Sequence, residues 1–297
     1  MTGVQTCALP ILRDAFGDNP EGLVYATKFG YDWIANADAR RGQQEIPHNF
    51  DPQYVREACE SSLKRLGVEA IPLWQIHNAH MDHVQNDGLF QVLDELKTEG
   101  KVLHYGVAIG PANGWLWEGV GAMRHRDIAS LQVIHNILEQ HPGSDFFADA
   151  RENHVGLLVR VPHSSGMLEG KYTLDTVFPA NDHRRHRPRS WMVNGLQKLE
   201  TLKFLTEGRQ QTLGQAALKF ILSEQSVIST LPNIYDYEQL EEFANAPDLP
   251  DLTNDDLAKI AELKAINFGV EEEAMKMKGE PESALLEWEN LLTSSTR

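Results

Sequence analysis

Residues 51–77 read DPQYVREACESSLKRLGVEAIPLWQIH, and this stretch decides the fold class. Asp51 followed by Pro52 supplies a helix N-cap and a proline at the first helical position. Val55, Cys59, Leu63 and Leu66 then recur at helical spacing until Gly67 stops the helix. Ile71 to His77 follows as a strand. The alternation extends in both directions. Upstream, Leu23 to Lys28 is a short β-rich run closed by Gly30. Downstream come a helix over Leu89 to Leu96 ended by Gly100, a strand over Val102 to Val107, and a helix near Trp115 to Met123. A strand over Leu131 to Asn136, a helix near Asp145 to Arg151 and a strand over Val155 to Val161 continue the pattern. After a long loop over 163–192, helices fall near Asn194 to Leu205 and Leu213 to Ser223. The strand Val227 to Leu231 and helices near Tyr237 to Phe243 and Asn254 to Leu263 complete it. Six β-then-α units imply an α/β fold with a parallel sheet. Six strands suit a doubly wound open sheet, whereas a (β/α)8 barrel needs eight, and composition does not choose between them.

Composition narrows the function classes. The 297 residues carry 27 Lys plus Arg against 43 Asp plus Glu, a net charge of −16. Such a surface disfavours nucleic acid and anionic membranes as partners. The sequence holds no apolar run long enough for a transmembrane helix and no secretory signal pattern. Two cysteines make no disulfide framework, which points to a reducing cytoplasm. Thr2 to Ile11 repeats, residue for residue, the translation of a sequencing-library adapter. Residues 1–11 are therefore set apart as an adapter-like scar, leaving Cys59 as the genuine cysteine. Natural sequence upstream of Leu12 is expected to be missing. Residues 12–265 are expected to form the folded domain, and 266–297 an acidic tail or one amphipathic helix packed around Leu285, Leu286, Trp288 and Leu292, with an ordinary solvated terminus the favoured expectation.

Two strands end on residues that carry chemistry. Alternation along Leu73-Trp74-Gln75-Ile76-His77 sets Leu73, Gln75 and His77 on one face and Trp74 and Ile76 on the other. His77 then stands at the strand's C-terminal end, where α/β folds bind ligands. Val24, Ala26 and Lys28 share a face in the same way, and a lysine turned into a core is costly unless paired or used.

From these residues outward the chain resembles the aldo-keto reductases. Tyr25-Ala26-Thr27-Lys28-Phe29-Gly30 is similar to the strand bearing the family's catalytic lysine. Ser62-Leu63-Lys64-Arg65-Leu66-Gly67 with Leu73 to His77 resembles the segment ending in its catalytic histidine. Gly100-Lys101-Val102 through Tyr105-Gly106-Val107 fits as well, and Val161 to Tyr172 resembles the loop over the cofactor pyrophosphate. The resemblance runs from about Leu12 to Leu263. It implies a (β/α)8 TIM barrel, here incomplete with strands 3 to 8 present, and hydride transfer from a nicotinamide cofactor to a small aldehyde or ketone. NADP is the expected cofactor, with NAD as the alternative.

Family catalysis uses Asp, Tyr, Lys and His. Lys28 matches the lysine and His77 the histidine. The aspartate and tyrosine belong to the first two βα units, about 30 residues each. Tyr25, Tyr31 and Tyr54 do not match that tyrosine, so the chain as written is expected to be impaired. The cofactor residues implied are Gln132 and Arg160 for the nicotinamide, Gly166, Leu168, Gly170 and Lys171 for the pyrophosphate, and Gln239 for the adenosine end. Ala108 and Ile109 replace a Ser-Asn pair that helps hold the amide, and Asp236 stands where a basic residue often meets the 2′-phosphate.

Two other readings compete. His77-x-x-His80-x-x-His83 suits a metal-dependent barrel hydrolase, although no supporting carboxylate motif accompanies it and the expectation is no metal. A non-catalytic cofactor-binding or interaction protein is the other. The basic run His183 to Arg189 is expected to meet cofactor phosphate or the chain's own acids rather than RNA.

Overall fold

A computed structural model of the chain describes residues 2–16, 22–33, 35–36, 45–110, 112–180 and 182–295. Met1 of the adapter-like stretch, Asn181 of the long loop and Thr296-Arg297 of the tail lie outside them. In chain order the elements are α1 (Thr2–Phe16), β1 (Ala26–Phe29), α2 (Pro52–Leu66), β2 (Ile71–Ala79), α3 (Met81–Val84), α4 (Asp87–Thr98) and β3 (Val102–Ile109). These are followed by α5 (Leu116–His125), β4 (Ser130–Ile134), α6 (Phe147–Glu152), β5 (Gly156–Arg160), α7 (Arg189–Thr201) and α8 (Leu213–Leu222). The last are β6 (Val227–Leu231), α9 (Tyr237–Ala244), α10 (Asn254–Ala265) and α11 (Glu282–Ser295). Among the described residues no helix is long and apolar enough to cross a membrane.

The chain divides into two compact bodies, residues 1–132 with 152–155 and 278–297, and residues 133–151 with 156–277. All paired strands are parallel. In the first body β1, β2, β3 and the start of β4 lie side by side in chain order, and in the second β5 pairs with β6. A doubly wound sheet reverses its strand order at a switch point. The unbroken order from β1 to β4 is that of a barrel wall instead.

Local chemistry sets the boundaries. The Asp51 carboxylate accepts from the amides of Gln53 (2.9 Å) and Tyr54 (3.4 Å), and Gly67 closes α2 at φ 70°. Val55, Cys59, Leu63 and Leu66 are buried, as their spacing requires. Capping boxes of Thr212 with Gln215 and Thr253 with Asp256 start α8 and α10. The second body's core joins Ile137, Leu168, Leu202, Leu205, Ala216, Ala217, Ile260 and Phe268.

Three expectations need correction. The terminus is not merely solvated: α11 buries Leu285 and Trp288 against Gly121 of α5, because those two side chains share a helical face. The long loop ends at Pro188, since a proline fixes the backbone just before α7 begins at Arg189. On β1, finally, Val24 and Ala26 are exposed while Tyr25, Thr27 and Phe29 are buried, so the Lys28 face is open rather than a packed core. Phe29 stacks on Trp74 at 3.7 Å and holds that strand by its other face.

Candidate active site

In the first body, strand register gathers three of the expected residues. Lys28 pairs with Gln75, which pairs with Gly106, which pairs with Ser130. Two residues further toward the strands' C-terminal ends, His77 pairs with Ala108, which pairs with Gln132. Residues two apart on a strand share a face, so Lys28, His77 and Gln132 occupy adjacent rungs of one sheet face. Gly106 and Ala108 between them raise no side chain larger than a methyl. This is the end of a parallel sheet where ligands bind.

His77 stands at a register shift between His77 and Ala79. Its carbonyl accepts from His48 Nε2 at 2.8 Å, and its ring meets the Tyr31 ring edge-on at 4.9 Å. Tyr31 stacks on His48 (4.4 Å), donates its hydroxyl hydrogen to Glu45, and accepts from Asn78 Nδ2 at 2.6 Å. Burial holds the His48 imidazole below its ordinary pKa, which favours the neutral ring. This shelf escaped sequence reasoning. Its members come from three segments, and only the histidine and aromatic content of Ile46 to Phe50 signals it. Gln75, fully buried in the rung of Lys28, finds no hydrogen-bond partner for either amide atom among the described residues.

The second body holds the rest of the expected set. Arg160 ends β5, opposite Leu231. Beyond it the backbone enters the left-handed region at Val161 (φ 58°), Ser164 (48°), Ser165 (59°), Gly166 (91°) and Gly170 (71°). Asn136 Nδ2 holds the Val161 carbonyl at 3.0 Å. The amides of Leu168 and Gly170 donate to His163 (3.0 Å) and Met167 (3.2 Å), and the Leu168 side chain belongs to the core. Those two residues build the loop from within.

Gly166 leaves no room for a side chain: a Cβ there would lie 2.2 Å from the Tyr172 hydroxyl and 3.2 Å from Arg184 Nη1. Arg187 Nη2 reaches Ser165 Oγ at 3.4 Å. A tight glycine turn flanked by two guanidinium groups and the half-exposed Lys171 suits a phosphate. Gln239 is buried and engaged at both ends, donating to Glu169 Oε2 and accepting the Tyr235 amide, each at 2.9 Å. Burial raises the Glu169 carboxyl, and the Lys171 and Arg184 charges pull it back. Arg184 is itself paired to Asp182 at 2.6 Å, so part of the basic run meets the chain's own acid, as expected. The Asp236 carboxylate caps α9 through the Gln239 amide at 2.8 Å.

The Aldo/keto reductase family model matches residues 8–265. The aldo-keto reductase yakc [NADP(+)] of Schizosaccharomyces pombe is 26% identical over 226 residues, covering 74% of this chain and 63% of that protein. The match thus spans under two thirds of the yeast relative. The NADH-specific methylglyoxal reductase of Escherichia coli is 28% identical over 233 residues, 75% of this chain and 68% of that one. Among solved structures, the glycerol dehydrogenase from Gluconobacter oxydans shares the fold with a TM-score of 0.72 at 22% identity, covering 91% of this chain and 81% of its own. The chain belongs to the aldo/keto reductase family.

Proposed function

We propose that the chain's chemistry is nicotinamide-dependent reduction of a small aldehyde or ketone, with NADP the cofactor and NAD the alternative, in the reducing cytoplasm. The placing of Lys28, His77 and Gln132 on adjacent rungs of one sheet face carries this reading. The relatives' own cofactors differ, one named for NADP(+) and one for NADH. A nicotinamide cofactor, when bound, would supply the hydride. Negative charge developing on the carbonyl oxygen would be stabilised by the Lys28 ammonium and the His77 imidazole through charge and hydrogen bonding. Gln132 would hold the nicotinamide amide, and Arg160 its ring. The Gly166 turn with Lys171, Arg184 and Arg187 would hold the phosphates, and Gln239 keeps Glu169 placed beside them.

The alkoxide also needs a proton. No tyrosine here matches the family's general acid, and the Tyr31 hydroxyl already donates to Glu45. We therefore propose that turnover by these residues alone is slowed about 10²–10⁴-fold, the usual worth of general acid catalysis. The test measures NADPH and NADH binding and oxidation with aromatic and sugar aldehydes. It uses this chain and a version extended upstream by two βα units carrying an Asp and a Tyr. Cofactor binding by both, with fast turnover in the extended version alone and its loss on Lys28→Met or His77→Gln, is the expected result. Turnover by the present chain at the extended version's rate would overturn the impairment. Absence of cofactor binding in both would overturn the reductase reading.

A further inference from the structure

We propose that His80, His83, Asp82 and Glu45 form a binding site for a borderline divalent transition-metal ion of the zinc type. This does not rest on the reductase reading, and His77 takes no part in it. One ligand atom each from His80, Asp82 and His83 lies within 4.8 Å of the others. His80 Nε2 is shut off from solvent, has no hydrogen-bond partner among the described residues, and faces Glu45 Oε2 at 3.8 Å. His83 Nε2 lies 3.7 Å from Asp82 Oδ1. His80, Asp82 and His83 thus converge, with the Glu45 carboxylate facing His80, and the His80–Glu45 and His83–Asp82 separations are too long for hydrogen bonds. A metal ion with bonds of about 2.0–2.2 Å to nitrogen and oxygen bridges such gaps.

The donors are held in place. The His80 ring is stacked between Trp115 (4.7 Å) and His83 (5.2 Å). His83 Nδ1 accepts the His80 amide at 3.1 Å, which fixes the ring and leaves Nε2, the atom facing Asp82, for the ion. Among the described residues one oxygen of the buried Glu118 carboxylate has no hydrogen-bond partner. Imidazole with carboxylate suits zinc, cobalt or nickel rather than magnesium or calcium.

The test uses the whole chain with any affinity tag removed. Zn²⁺ is titrated calorimetrically, and Co²⁺ is added as a visible-spectrum probe. One saturable equivalent of Zn²⁺ and Co²⁺ bands of low-symmetry nitrogen and oxygen coordination are expected. His80→Phe keeps the ring stack on Trp115 and removes the donor, and it is expected to weaken Zn²⁺ by at least about tenfold. Glu45→Gln, on the exposed flank, is a second variant that should weaken binding without disturbing the fold, and His141→Ala should leave it unchanged. No saturable Zn²⁺ binding by the parent chain, or parent-like affinity in both His80→Phe and Glu45→Gln, would overturn the site.

Discussion

Gly166 and Asp256 show how single positions in the second body carry more than their size suggests. At Gly166 the backbone sits at φ 91°, and a Cβ would fall 2.2 Å from a tyrosine hydroxyl that donates to Ser165 and accepts from Arg184. Gly166→Ala is expected to cost about 1–3 kcal/mol in urea unfolding, the range for a strained non-glycine residue. The same variant should lose cofactor affinity, because Tyr172 and Arg184 must shift to admit the methyl. Asp256 is fixed by Arg209 at 2.6 and 2.8 Å and by the Thr253 amide and hydroxyl. The Arg209 guanidinium is the largest cause holding its carboxyl below the ordinary range. A depressed folded-state value means the ionised form favours the fold. That stabilisation is complete above the unfolded value of about 3.9 and is lost as pH falls below it. Denaturation from pH 7 to pH 2 should show the difference between the parent and Asp256→Asn shrinking below about pH 4. A difference constant over that range would mean the ion pair contributes nothing.

At the scale of elements, the C-terminal helix tests packing against composition. α11 meets α5 through Leu285, fully buried, and Trp288, while Leu291 on the same helix is 65% exposed. Leu285→Ala is expected to destabilise by about 2–5 kcal/mol, and Leu291→Ala by less than about 0.5 kcal/mol. Equal effects would show that the helix does not dock. The same helix marks what a sequence can disclose. The helix α2 was legible because its signals are local: a capping Asp51, Pro52, a buried stripe and Gly67 all act within one element. Lys28 and His77 were legible as strand-end residues for the same reason. The docking of α11 was not, because an acidic segment hides two apolar residues whose partner, Gly121, is more than 160 positions away. The shelf of Tyr31, Glu45, His48 and Asn78 was illegible on similar grounds, since ring stacking between separate segments leaves no periodicity. Nor did the alternation of strand and helix distinguish a barrel from a doubly wound sheet; only strand order did.

For the whole molecule the proposed division of labour follows the two bodies. Lys28 and His77, proposed to face the carbonyl, belong to the first, and the turn proposed to hold phosphate, with Arg187, to the second. Binding and chemistry should therefore separate under mutation, because an interaction made only as charge develops on the carbonyl changes rate and not ground-state affinity. Arg187 stacks on Trp191 at 5.3 Å and touches the loop through Ser165, so Arg187→Gln removes a cation and leaves the core untouched. It is expected to raise the NADPH dissociation constant about tenfold, the loss of one charge-assisted contact. Lys28→Met and His77→Gln are expected to leave that constant within about threefold while lowering turnover in the extended version by at least about 100-fold. Cofactor fluorescence gives the first quantity and single-turnover oxidation the second. Should Lys28→Met weaken NADPH as much as Arg187→Gln does, the lysine serves cofactor binding, and the assignment of the first body to the carbonyl is wrong.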